Sequence, residues 1–195
     1  MTQKLSLAST STARIALLSR LGIDFESIPP NATEENLASE TSREKSQRLA
    51  TLKATSITPQ NKNHWILGSD QVAEVNSHIL SKPKTTERAF KQIKECLGQW
   101  VHFYTSITMT NGISTFEKTV EFSVKFRNDL SDEQIRDYIQ RDDPLMCAGS
   151  FKAESLGIAL FDNMNGSDIS SLVGLPLIET RKLLERAGFN VLGSK

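Results

Sequence analysis

The stretch Leu67-Gly68-Ser69-Asp70-Gln71-Val72, followed by Ser81-Lys82-Pro83, decides the reading of this chain. Trp65 to Gly68 is an apolar run of the kind buried in an α/β sheet, and it delivers one acid and one amide to its end. Open α/β sheets usually place their chemistry at strand ends. An acid beside a lysine is also a common surface pair, so this one gains meaning only from its surroundings.

On either side, helix and strand signals alternate. Residues 4–8 (KLSLA) predict a short strand, and Ser9-Thr10-Ser11-Thr12 offers capping hydroxyls to a helix from Ala13 to Leu21. Ile23 to Ile28 predicts a second strand. Thr41-Ser42-Arg43-Glu44 matches a capping box for a helix running through Lys53. Val72 to Val75 and Ile79-Leu80 predict a hairpin around Asn76-Ser77. Thr85 to Leu97 predicts a helix. Trp100 to Met109 and Ser114 to Phe126 predict long antiparallel strands turning at Asn111-Gly112. Ser131-Asp132-Glu133-Gln134 is a second capping box, for a helix reaching Ile139. Pro144 to Phe161 reads as loop and strand, and Leu175 to Ala187 as a last helix with Pro176 near its start.

The chain has 195 residues, enough for one large domain or two small lobes, and shows no repeat or flexible linker. Its 23 basic and 23 acidic residues give no net charge, so no global field draws it to nucleic acid or an anionic membrane. No apolar run approaches the about 20 residues of a membrane-spanning helix. The N-terminus lacks the apolar core of a signal peptide, and Cys96 and Cys147 stand far apart, without zinc-ligand spacing. These features predict a soluble cytoplasmic protein with reduced thiols.

Two groups of residues have chemistry in them. A strand-to-helix turn at Ser9-Thr10-Ser11-Thr12 exposes amides that attract phosphate, and Arg14 adds a fork of charged donors. From these residues alone an ordinary helix cap with a surface arginine is the favoured reading, because Ser/Thr caps are common. Glu34, Lys53, Asp70 and Lys82 would together supply two carboxylates for a hard divalent cation and two ammonium groups for phosphate. Spacing alone does not show that they converge.

Over almost its whole length the chain resembles the Maf family of nucleotide pyrophosphatases. The resemblance rests on Leu7-Ala8-Ser9-Thr10-Ser11 with Arg14, on Asp24-Phe25-Glu26 leading to Glu34, and on Arg48-Leu49-Ala50 before Lys53-Ala54. It continues through Gly68-Ser69-Asp70-Gln71-Val72, Lys82-Pro83, Cys147-Ala148-Gly149-Ser150-Phe151-Lys152 with Glu154, and Leu172-Val173-Gly174-Leu175-Pro176-Leu177. No single motif is decisive; their order and spacing are. Within the family, Gly-Ser-Asp-Gln at 68–71, Glu154 and His102-Phe103-Tyr104-Thr105 resemble the branch that hydrolyses 7-methyl-GTP. The branch preferring dTTP and UTP usually has Gly-Ala-Asp-Thr, and glutamine in place of Glu154.

The resemblance implies one Maf-like domain over residues 1–195. Its fold would be an elongated twisted mixed α/β sheet flanked by helices, similar to inosine triphosphatases, with two lobes around a central cleft. It implies hydrolysis of a nucleoside triphosphate to monophosphate and pyrophosphate, in a homodimer. Asp70 would be the proton acceptor or would order the water through a metal. Glu34 would be the second metal carboxylate, with Mg²⁺ or Mn²⁺ as the divalent cation. Ser9, Arg14, Lys53 and Lys82 would hold phosphates. Gln71 and Glu154 would select the base, since a carboxylate suits the cationic ring of 7-methylguanine. Position 13 also belongs to base selection: Ala13 stands where this branch usually has tryptophan, whose face would stack on a cationic base. Thr12 replaces the usual proline.

Two alternatives remain at this level. One is a pyrophosphatase for dTTP, UTP or another modified nucleotide. The other is a nucleotide-binding regulator of septum formation without catalysis, against which the intact set Glu34, Lys53, Asp70 and Lys82 argues. His64, His78 and His102 are scattered and read as non-catalytic, Trp65 and Trp100 as packing groups, and Arg136, Arg141 and Arg181 as solvated helix faces. Asp142-Asp143 reads as a helix-end loop.

Overall fold

A computed structural model describes residues 3–35, 37 and 40–193. In chain order the strands and helices are β1 (Lys4–Ala8), α1 (Thr12–Ser19), β2 (Glu26–Ile28), α2 (Ser42–Thr55), β3 (His64–Val75), β4 (His78–Leu80), α3 (Thr86–Cys96), β5 (Trp100–Thr110), β6 (Thr115–Phe126), α4 (Asp132–Asp142), β7 (Phe161–Gly166), α5 (Ser170–Val173) and α6 (Leu177–Arg186). The strands form one seven-stranded sheet in the order β2-β1-β3-β5-β6-β7, with β4 paired to β3. The mixed α/β class expected from sequence is therefore what the chain adopts.

The contacts divide the chain into two units, one of residues 1–70, 105–120 and 168–195, the other of 71–104 and 121–167. In the first, β1 runs parallel to both β2 and β3, with Ala8 level with Ile28 on one side and Gly68 on the other. This register brings the segments after Ala8 and Ile28, and residues 69–70 of β3, to the carboxyl end of the parallel trio. Leu5 and Leu7 on β1, Leu67 on β3, Leu17 and Leu18 on α1 and Leu184 on α6 form its core. Trp65 is buried and stacks on Phe116 with ring centroids 5.2 Å apart, as expected of a packing group. Both halves of the Thr41 capping box are made: its hydroxyl takes the Glu44 amide, and the Glu44 carboxylate takes the Thr41 amide.

In the second unit, β3 turns into β4 through Asn76 and Ser77, both left-handed (φ 48° and 65°), a backbone twist that suits a two-residue hairpin. Phe103, Phe126, Phe151 and Phe161 meet edge to face at centroid distances of 4.8 to 5.7 Å and anchor its core. The capping box at Ser131 is made, and α4 ends on left-handed Asp143, so Asp142-Asp143 is the helix end that the sequence predicts. Cys96 and Cys147 are free thiols; burial pushes Cys96 up to about 12.

Three features differ from the sequence reading. Residues 64–75 form one long strand instead of a strand and a separate hairpin arm, because the polar residues Ser69 and Asp70 are buried within it. Edge strand β7 and the one-turn α5 lie in residues 161–173, where the sequence reading assigned no element beyond Phe161, since the exposed FDNMNG run carries no apolar alternation. Trp100 is 37% exposed, so the packing role given to it is at most partial.

Candidate active site

Asp70 sits on β3 two residues beyond Gly68, at 7% exposure. Its partner is Lys53 on α2, whose Nζ lies 2.5 Å from Asp70 Oδ1 and is itself 8% exposed. The pair depends on how close α2 comes to β3. A Cβ at position 68 would clash with the carbonyl oxygen of Ala50 and lie 2.6 Å from the Ala54 nitrogen. Glycine is therefore required here for close backbone approach, and small Ala50 and Ala54 make the matching surface on the helix.

The same ammonium donates to Glu34 Oε1 at 2.8 Å. Glu34 follows β2 in the segment entering α2, and its side chain is half exposed. Arg48 holds that segment: its guanidinium is paired with the Glu40 carboxylate and donates to the Glu35 carbonyl at 2.9 Å. The motif Arg48-Leu49-Ala50 thus has a role that the sequence reading did not assign.

Arg14 lies on α1, near enough to Asp70 and Glu34 for both to favour its charge; burial pulls its pKa down against them. It stays a cation because its ordinary value is so high. Its Nε donates to the Gly174 carbonyl at 2.9 Å, and the buried Ser69 hydroxyl donates to the same oxygen at 3.0 Å. Gly174 has φ +116°, a conformation that favours glycine, and it closes α5. Buried Asp168 accepts from the amides of Ser170 at 3.0 Å and Ile178 at 2.8 Å, and so fixes the ends of this turn. Here Leu172-Val173-Gly174-Leu175-Pro176 acts as a buttress for Arg14. The sequence offered the motif but not the partner.

Ser9 opens the β1-to-α1 turn. It is buried, and its hydroxyl accepts the Ser11 amide at 3.1 Å, shaping the turn into α1. The α1 cap is Ser11, which accepts the Arg14 amide. Ala13 is half-buried on the first turn of that helix.

Opposed influences act on Asp70. Burial pushes its pKa up from the ordinary aspartate value, and nearby Glu34 adds to that rise. Lys53 and Arg14 pull the other way without cancelling it. The result is a carboxylate held in place by cations yet readier than usual to accept a proton.

The first unit thus brings together Arg14, Glu34, Lys53 and Asp70, and also contains Ser9. Gln71, Lys82 and Glu154 belong to the second unit. Gln71 follows Asp70 on β3 and is half-buried; Lys82 and Glu154 are exposed. Lys82, Glu154 and Lys152 all act electrostatically on the half-buried Cys147 thiol, which burial, the largest cause, raises. Lys152, absent from the expected site, is held by its Nζ donating 2.5 Å to the Asp142 carbonyl. The histidines have other partners: buried His64 contacts Ser6 at 2.7 Å, His78 pairs with Glu95, and His102 lies near Glu121.

Asp70 and Glu34 converge on one cation, so the locus accepts positive charge between two oxygen ligands. Among the described residues no group of three or more His, Cys, Asp or Glu is placed to hold a metal ion, so protein donors here number at most the two carboxylates. That donor set fits Mg²⁺ or Mn²⁺, which take one or two carboxylates and complete their shell with phosphate and water.

Comparison with known proteins agrees with the motifs. The family described as Maf-like protein matches residues 4–187. A 7-methyl-GTP pyrophosphatase of Nitrosococcus oceani is 46% identical over 190 residues, 96% of this chain and 95% of the relative. One of Aliivibrio fischeri is 43% identical, over 98% of this chain and 100% of the relative, and one of Pseudomonas aeruginosa is 42% identical, over 96% and 98%. Among solved structures, the Staphylococcus aureus Ham1 protein has a TM-score of 0.46 at 18% identity, covering 65% of this chain and 73% of that one. A family match across residues 4–187, with relatives this similar from end to end, makes the chain a member of the Maf family.

Proposed function

We propose that this protein hydrolyses 7-methyl-GTP to 7-methyl-GMP and pyrophosphate, clearing a non-standard nucleotide from the cytoplasmic pool, and that it works as a homodimer. The observation that carries the reaction is the buried Lys53–Asp70 pair, 2.5 Å long, at the carboxyl end of parallel strands with Glu34 on the same ammonium. The relatives named 7-methyl-GTP pyrophosphatase support the substrate, as do Gln71 and Glu154.

In this reading a water oxygen bonds to the α-phosphorus, the bridging bond from the α-phosphorus to the β-phosphate oxygen breaks, and pyrophosphate leaves. Asp70 orients that water and takes its proton, which its raised pKa favours. Lys53, Arg14 and Lys82 hold the phosphates and offset charge on their oxygens. Ser9 shapes the turn ahead of α1. A divalent cation, Mg²⁺ or Mn²⁺, held by Asp70 and Glu34, would neutralise phosphoryl charge when bound. Glu154 accepts from the guanine N1–H and exocyclic amine, and Gln71 reads the base beside it.

Ala13 favours a second reading, another modified nucleotide or a uridine or thymidine triphosphate, because no aromatic face stands at that position to stack on a charged ring. Turnover of 7-methyl-GTP, GTP, UTP and dTTP measured side by side decides. The proposal expects 7-methyl-GTP to have the highest kcat/KM; a higher value for UTP or dTTP overturns it.

A further inference from the structure

Helix α2 is seated against the sheet by hydroxyls and an amide as much as by apolar groups. Besides Leu49, Ala50 and Ala54, the residues joining it to β5 and β6 are Ser46, Gln47 and Thr51. Ser46 Oγ meets Ser106 Oγ at 2.7 Å, and Ser106 Oγ meets Thr119 Oγ1 at 2.7 Å. The Thr119 hydroxyl donates to Gln47 Oε1 at 2.9 Å, and Gln47 Nε2 donates to Thr108 Oγ1 at 3.0 Å. Thr108 Oγ1 meets Thr51 Oγ1 at 2.8 Å, and the Thr51 hydroxyl donates to Glu117 Oε1 at 2.8 Å.

Each hydroxyl has one proton, which fixes the direction of the links from Ser106 onward. Thr119 spends its proton on Gln47, so Ser106 donates to Thr119. Ser46 has the Arg43 carbonyl at 2.9 Å as well as Ser106 within reach of its single proton, so the directed part of the seam begins at Ser106. Thr51 spends its proton on Glu117, so Thr108 donates to Thr51. The bonds run one way, from Ser106 through the Gln47 amide to the Glu117 carboxylate, and pass between helix and sheet repeatedly.

We propose that this seam indexes α2 along the sheet and that Gln47 is a positioning residue for Lys53, and through Lys53 for Asp70. The inference rests on the catalytic reading given above for that pair. Apolar contact is non-directional and tolerates sliding. Hydrogen bonds do not: a slip of one residue rise, about 1.5 Å, would carry links of this length past bonding distance. Lys53 lies on the same helix with its stem buried and has little freedom to compensate. Gly68 sets how near α2 comes to the sheet; the seam sets where along the sheet it stops.

The test replaces the seam by an apolar one of similar shape, in the variant Gln47→Leu/Thr108→Val/Thr119→Val. The variant removes both partners of the Gln47–Thr108 and Gln47–Thr119 bonds, which is close to neutral for stability, and leaves Ser106 with Ser46 and Thr51 with Glu117, so the thermal midpoint is expected to hold. With 7-methyl-GTP as substrate, kcat is expected to fall about tenfold or more, since displacement of a catalytic group by about 1 Å costs on the order of 10²-fold. The fall in kcat is expected to exceed any rise in KM, because Lys53 also holds phosphate whereas Asp70 acts on the attacking water. Wild-type kcat in this variant overturns the inference, and so does a rise in KM alone. Should the triple variant not fold, Thr119→Val is read in the same way; Thr119 borders an open hollow lined also by Gln47, Arg43 and Arg48, where the substitution reaches solvent. Thr119→Ser restores kcat if the hydroxyl is what matters. Asp70→Asn is assayed alongside: full turnover there overturns the catalytic reading itself, whereas an inactive Asp70→Asn beside a fully active apolar seam overturns the seam alone.

Discussion

Asp70 is held in the folded state by two cations, yet burial outweighs them and its pKa lies above the ordinary value of about 3.9. Two outcomes follow from that sign. The ionised form does the chemistry, so kcat falls as pH drops through the raised pKa, giving an acid limb above that of a free aspartate; a rate profile in kcat checks it. For stability the sign reverses. A raised folded pKa adds stability that is full below the unfolded pKa and is lost as pH rises through the folded one. At pH 7 the wild type therefore has the burial cost of an ionised Asp70. Asp70→Asn is expected to lose at least about 10²-fold in kcat, with a thermal midpoint at pH 7 no lower than that of the wild type; a calorimetric melt showing a clear drop would contradict the assignment. Glu154→Gln is expected to cut the preference for 7-methyl-GTP over GTP about tenfold, a hydrogen bond to a charged group contributing about 1.5–3 kcal/mol; paired kcat/KM values measure it. The identities of these residues were legible in the sequence. The convergence of Lys53 and Asp70 was not, because it depends on a helix-to-strand distance that no spacing encodes.

At the scale of elements, that distance is controlled by Gly68. Gly68→Ala drives a methyl group into the α2 backbone at Ala50 and Ala54. Overpacking of this kind costs about 1–3 kcal/mol, and it also moves Lys53 away from Asp70. Denaturant melts are expected to show the loss of stability, and kcat is expected to fall with it; unchanged stability would mean that α2 does not need this close approach. The capping boxes at Thr41 and Ser131 were readable because both halves of each are local in sequence. β7 was not, since its register comes from pairing with β6 and its own side chains are largely exposed. The turn at Gly174 was readable as a motif, but its use, accepting from Arg14 and Ser69, depends on groups distant in the chain.

For the whole molecule, the mixed sheet, the family and the order of the motifs were all accessible from sequence, because each is carried by many residues at once. Two lobes were expected only through the resemblance, and their boundaries were not legible: β3, β5 and β6 each contribute residues to both units, so no linker or shift in composition marks them. No described helix is long and apolar enough to cross a membrane. The catalytic reading predicts dependence on a divalent cation, and chelation by EDTA is expected to stop turnover, with Mg²⁺ or Mn²⁺ restoring it. The most direct test of the central claim is the product ratio from 7-methyl-GTP and Mg²⁺ with wild-type protein and with Asp70→Asn. The account predicts 7-methyl-GMP and pyrophosphate in equal amounts from the wild type and almost none from the variant. Release of orthophosphate with 7-methyl-GDP, or equal pyrophosphate from both proteins, would contradict it.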